Sequence, residues 1–178
     1  MRYFRRLIWH FATRLMIVCL ALGLMLMSFY LAMNASNIYV IVKDGMAKRA
    51  QTVMMGTDES ALEDFFTAAY LESDTALKNA REGVSPYQLY YSITGFDHRV
   101  SLLSAWCWPW DVTATATVEE RIPAIDGRLN TVGHEWSGAL NLSNTPPAWT
   151  AGRYQVMLVQ QNGHWKISSL TLQKVLDE

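Results

Sequence analysis

The chain has 178 residues, 51% of them hydrophobic, with 15 basic and 16 acidic side chains and a formal net charge of −1. The charge is unevenly spread: residues 1–42 hold four basic and no acidic groups (net +4), and residues 43–178 hold eleven basic and sixteen acidic groups (net −5). The mildly acidic body argues against nucleic acid as a main partner and is long enough for one domain with a real core. Seven Trp and eight Tyr point to a core rich in aromatic packing. Cys19 and Cys107 lie in different environments, so no intramolecular disulfide is expected. No Cys/His spacing suits zinc, and His10, His98, His134 and His164 are scattered, so neither a metal nor a cofactor is expected.

Leu15–Met33 is a run of nineteen uncharged residues in which Ser28 is the one strongly polar side chain. A helix needs roughly 20 apolar residues to cross a hydrocarbon core about 30 Å thick. Arg2, Arg5, Arg6 and Arg14 precede the run; Lys43, Lys48 and Arg49 follow it at a distance and are diluted by Asp44. Basic residues stay on the cytoplasmic side, which places the N-terminus inside and the C-terminal body outside the cell membrane. Trp9 and Tyr30 stand near the two ends of the run. A cleaved signal peptide is the rival, with an h-region of about 7–15 residues and small residues at the cleavage site. Here the run is longer, and Met33-Asn34-Ala35 is a poor cleavage site. The divisions read from the sequence are a basic cytoplasmic tail (1–14), a transmembrane helix (15–35), a juxtamembrane helix (36–56) and an extracytoplasmic domain (57–178).

Ile38, Ile41, Val42, Met46, Ala50, Val53 and Met54 recur at helical spacing, which predicts a helix entering the domain, with a bend near Asn34–Asn37 and a hinge or crossing point at Gly45. After Gly56, Thr57 or Asp58 caps a second helix whose stripe is Leu62, Phe65, Phe66, Ala69 and Tyr70, ending near Ser73 or Asp74. Strands are predicted at 90–94 and 99–108, with Pro109 forcing a bulge or edge, and at 111–122, where Val112, Ala114, Ala116 and Val118 alternate with threonines. The charge run Glu119-Glu120-Arg121 reads as a solvated strand end. Residues 123–149 read as a long loop with a short strand near 136–142. Strands at 153–160 and 165–172 flank Asn162-Gly163, a strong hairpin signal. Helices first and antiparallel strands after give an α+β fold, with helices on one face of the sheet.

The helix LEDFFTAAYL (62–71), the strand DVTATATVEE (111–120) and the ending GRYQVMLVQQNGHWKISSLTL (152–172) resemble the nuclear-transport-factor-2-like superfamily. That resemblance implies a cone of N-terminal helices packed in a curved antiparallel sheet. One span followed by such a domain is also similar in layout to scaffold proteins of type IV secretion and conjugation machines. The likeness implies a protein-binding or scaffold module, with a protein partner or a homo-oligomer.

The alternative is a small-ligand binder or an isomerase- or dehydratase-like enzyme with a pocket between helix and sheet. The resemblance would then assign acid–base work to Tyr70 and to Asp97 or His98, with the Tyr hydroxyl stabilising an oxyanion. The residues alone assign no catalytic role, since Tyr70 also reads as core and Asp97-His98 as a turn. The two readings differ in whether an open cavity with a buried ionisable group reaches Tyr70. Trp106, Trp108 and Trp110, around Cys107 and Pro109, form either an aromatic platform for a partner or part of the core. Trp149, behind Pro146-Pro147, sits in a candidate partner loop.

Overall fold

The first 55 residues contain no proline and only two glycines, so nothing in them must break a helix. In the computed structural model, which describes residues 2–176 with side chains from Trp9 to Leu176, they form one unbroken helix, α1 (Arg2–Met55). It passes through Asn34–Asn37 as regular helix, so the expected bend is absent. Among its described side chains, those up to Met33 are largely exposed, including Leu15, Met16, Ile17, Leu20 and Leu24. From Ile38 the same helix enters the core, with Ile38, Val42, Met46, Ala50, Val53 and Met54 all buried. Length and composition let α1 cross a membrane, and none of its most apolar window is buried within the chain. The side chains of Arg2, Arg5 and Arg6, which carry the sidedness argument, lie outside the described residues.

Short elements follow α1: a 3-10 turn (Glu59–Leu62), α2 (Ala68–Ser73), α3 (Thr75–Arg81) and α4 (Pro86–Tyr90). The sheet is a four-stranded antiparallel meander: β1 (Tyr91–Trp106), β2 (Thr113–Leu129), β3 (Gly152–Gln161) and β4 (His164–Val175), in that order. The fold is α+β with a curved sheet, and α1 and the short helices cover one face.

The predicted helix over 58–73 is interrupted. Phe66 forms a parallel bridge to Ile167, with Thr67 N donating to Ile167 O at 3.0 Å and Ile167 N donating to Phe65 O at 2.7 Å. The segment thus satisfies backbone groups at the open edge of β4, which intrahelical bonding would forgo. Its stripe still reaches the core, since Leu62, Phe66 and Tyr70 are buried. The two strands predicted before Pro109 are one, β1, and it stops at Trp106. The predicted loop over 123–149 is shorter than expected. β2 runs through Pro123 to Leu129, and α5 (Thr131–Leu140) replaces the expected short strand. Asn130 caps α5 by accepting from Gly133 N at 2.8 Å. Gly133 is required there, because a Cβ would lie 2.2 Å from the Tyr90 carbonyl oxygen.

β-Bulges decide which side chains face the helices. Thr94 has no partner on β2, so the inward parity of Tyr91 and Ile93 switches to His98 and Val100. Opposite His98, β2 carries an irregularity at Ile122 and Pro123, which accommodates a residue without an N–H. A further extra residue, Leu103, switches the parity of β1 back, so Cys107 is buried and Trp106 points outward.

α1 approaches its neighbours tightly at Gly45, where a Cβ would lie 3.1 Å from both Phe65 Cβ and Ile167 Cδ1. Gly45→Val is expected to overpack this contact and destabilise the fold by about 2 kcal/mol despite the better helix propensity. Chemical denaturation of the purified chain would measure it. An unchanged midpoint would show that the crossing has slack.

Candidate functional site

The alternation of β2 extends one step further than its apolar residues. Ala114, Ala116 and Val118 face the helices, and Glu120 and Ile122 follow on the same side. Glu120 is therefore buried, at 1% exposure, and is not the solvated strand end expected from its charged neighbours. Glu119 faces the other way and pairs with Arg153 at 2.7 Å. Two groups bond the Glu120 carboxylate: His98 Nε2 lies 2.9 Å from Oε1, and Trp149 Nε1 donates to Oε2 at 3.3 Å.

A second buried cluster faces it from the helices. Asp74 ends α2 and caps α3, with Oδ1 accepting from Ala76 N at 2.8 Å and Leu77 N at 3.3 Å. Arg49 of α1 grips the same carboxylate with two donors, Nε to Oδ2 at 2.5 Å and Nη2 to Oδ1 at 3.2 Å. The Tyr70 hydroxyl donates to Oδ2 at 2.6 Å, and its ring stacks on Phe66. The Arg49 guanidinium also lies 5.9 Å from the centre of the Trp149 ring. Trp149 thereby touches both clusters, a cation on its face and a carboxylate at its N–H.

Between the clusters opens a cavity of about 710 Å³, lined by Arg49, Tyr70 and Asp74 from the helices and Glu120, Tyr154 and Ser169 from the strands, among others. Burial is the largest influence on Asp74 and would raise its pKa. The bonds from Arg49 and the Arg49 charge outweigh it, with help from Tyr70 and the Leu77 amide, and hold the carboxyl below its ordinary value. Burial is likewise the largest influence on Arg49 and disfavours its charge, but the Asp74 hydrogen bond together with the fields of Tyr70, Asp74 and Glu120 outweighs it, and the guanidinium is held above its usual range. Desolvation pushes the Tyr70 hydroxyl well up; Arg49 opposes this and Asp74 reinforces it. Tyr154 is also raised, first by desolvation and then by Glu120.

The residues singled out in the sequence are separated by this geometry. Tyr70 lines the cavity, with its hydroxyl proton committed to Asp74. His98 is buried behind Glu120. Asp97 turns outward and bonds Arg99 on the surface. Trp149 belongs to the buried network. Trp106, Trp108 and Trp110 lie away from the cavity as a stacked, exposed group, so the reading that places them in the core is overturned. Arg49, Asp74 and Glu120 escaped notice in the sequence. The even-numbered parity of 114–122 was the available signal for Glu120. Arg49 and Asp74 carried no signal, because a helix face and a cap residue meet only in three dimensions. No group of three or more His, Cys, Asp or Glu able to hold a metal occurs among the described residues.

The arrangement offers hydroxyls and paired charges to a polar guest. Arg49, Tyr70 and Asp74 are bonded to one another, and Glu120 is bonded to His98 and Trp149. No family model, no curated protein and no solved structure matches the chain.

Removing the Asp74 charge strips Arg49 of its partner and α3 of its cap. Asp74→Asn is expected to cost about 3 kcal/mol, the range for breaking a largely buried pair. The carboxyl has a lowered folded pKa, so its stabilisation is complete above the unfolded value of about 4 and is lost as pH falls through the folded value. Melting temperatures recorded from about pH 6 down to pH 3 should fall less steeply for Asp74→Asn than for the wild type. Equal slopes would show that Asp74 does not carry the acid sensitivity.

Proposed function

We propose that the chain is a single-pass membrane protein with a cytoplasmic N-terminus and an extracytoplasmic domain that serves as a protein-binding or scaffold module. The observation that carries this reading is the unbroken α1: its apolar first part is exposed, and its last turns form the core. A domain joined to its span through one helix keeps a set height and orientation over the bilayer, which suits assembly with partners in the same membrane. The helices packed on a curved meander agree with a nuclear-transport-factor-2-like cone, and the layout agrees with secretion or conjugation scaffolds; both are likenesses of architecture.

A second reading, a membrane-tethered small-ligand binder, is favoured by the cavity that reaches Tyr70, with Arg49, Asp74 and Glu120 in its wall. It calls for a polar ligand of small size. An isomerase- or dehydratase-like activity gains less, because Asp97 is outside the cavity and His98 and Tyr70 are committed to Glu120 and Asp74.

The chain expressed in membranes is expected to resist alkaline extraction and to keep the mass of all 178 residues. Release into the supernatant, or a mass short of the first 35 residues, would replace the anchor with a cleaved signal. Cross-linking in native membranes should trap a second copy or a neighbouring membrane protein. A monomer that captures nothing, yet melts higher with a small polar compound in wild type and not in Tyr70→Phe, would favour the ligand-binding reading.

A further inference from the structure

The outward-facing tryptophans occupy a defined place relative to α1. The loop 107–112, which joins β1 to β2, is pinned to the helix by Tyr30, whose hydroxyl donates to the Pro109 carbonyl at 3.0 Å. Below that bond, Leu31, Asn34 and Ala35 of α1 and Ala105 and Trp106 of β1 enclose a wedge of about 200 Å³. The hairpin end and the C-terminal end of the apolar run are thus side by side. The run of 19 residues spans about 28 Å as a helix, and Tyr30 lies about 4.5 Å before its last residue.

Three features of this hairpin end match a bilayer interface. Trp106, Trp108, Trp110 and Val112 are all exposed, Trp110 at 73%. Trp108 stacks on Trp110 and meets Trp106 edge-on, giving one continuous aromatic surface. From Ser101 to Val118 the only charged residue is Asp111, so the hairpin end brings almost no charge to be desolvated. Trp and Tyr rings favour the headgroup level, where an apolar body and an N–H or O–H are both accommodated.

We propose that the loop 107–112 is a second membrane contact, with Trp108 and Trp110 seated in the headgroup layer of the bilayer that α1 crosses and on the side of its C-terminal end. This rests on the anchor reading of α1, and the occupant of the aromatic surface is lipid. The contact sets the domain's tilt over the bilayer, while α1 fixes its height.

Spin labels in proteoliposomes of phosphatidylcholine and phosphatidylglycerol test it. The full chain carries Cys19→Ser and Cys107→Ala and one new cysteine at a time: Gly23→Cys in the apolar run, Trp110→Cys or Val112→Cys in the loop, and Gln161→Cys as an exposed control. Gly23 has no neighbour within 4 Å and the loop positions are exposed, so the labels enter no packed region. The expected result is collision with oxygen and exclusion of a water-soluble nickel chelate at Gly23→Cys. At both loop positions nickel access should be several-fold below that at Gln161→Cys, with oxygen access retained. Full nickel access at the loop with exclusion at Gly23→Cys overturns the proposal and leaves the anchor standing. Exclusion of both probes at the loop means a protein covers it, a second copy or a partner, and also overturns the proposal. Nickel access at Gly23→Cys removes the anchor and the proposal with it.

Discussion

The setting of α1 against the sheet is the constraint on which the rest depends. Its inward face places Ile38, Val42, Met46, Ala50 and Val53 in the core, Gly45 against Phe65 and Ile167, and Arg49 on Asp74. Sliding the helix by one residue would rotate that face by about 100° and lose all three contacts together. Rotation and height are therefore fixed jointly, by packing, close approach and a charge pair that tolerate no common shift. Because the same helix continues to Tyr30 and beyond, the setting also decides which ring meets Pro109 and where the apolar run lies relative to the domain.

The charged residues inside this contact carry a cost of their own. Taking Arg49 and Asp74 out of water is unfavourable, and a buried pair of well-packed apolar residues would often serve stability as well. What the charges supply is direction. Asp74 accepts from Arg49, Tyr70 and the first amides of α3, so one carboxylate orients α1, α2 and α3 together. Glu120 does the same for β1, through His98, and for the segment before β3, through Trp149. Trp149 lies against both, so the helical layer and the sheet meet through its ring as well as through the apolar core. The cavity lies between these two polar clusters.

Much of the architecture was legible in the sequence because it follows from local chemistry. The apolar run of 15–33, the helical spacing from Ile38 to Met54, and the terminal hairpin all appear as read. Asn162 and Gly163 have φ of 52° and 81° at its turn, as the Asn-Gly pair demands. The failures came where a distant partner overrode local preference. Residues 62–71 read as helix, but the open edge of β4 drew Phe65–Thr67 into a bridge. Residues 131–140 read as loop from their glycines, yet Gly133 is what lets α5 close on the Tyr90 carbonyl. The candidate site was the least legible part, for Arg49, Asp74 and Glu120 come from a helix, a cap and a strand that only the tertiary fold unites.

Strand parity explains how His98 reaches the buried Glu120 while Trp106 stays on the outer face. Alternation is a reliable guide only until one extra residue enters the ladder, and then every later side chain changes face. β1 has two such residues, Thr94 and Leu103. The first turns His98 inward to Glu120, and the second restores the starting parity, so Trp106 faces outward. Neither shift has a composition signal, since Thr94 and Leu103 are ordinary strand residues. A histidine that would be solvated in a regular strand is thus delivered to the core, while the two shifts together leave Trp106 on the outer face. The domain's polar interior and its aromatic exterior are products of the same irregular strand, and a regular β1 could have supplied only one of them.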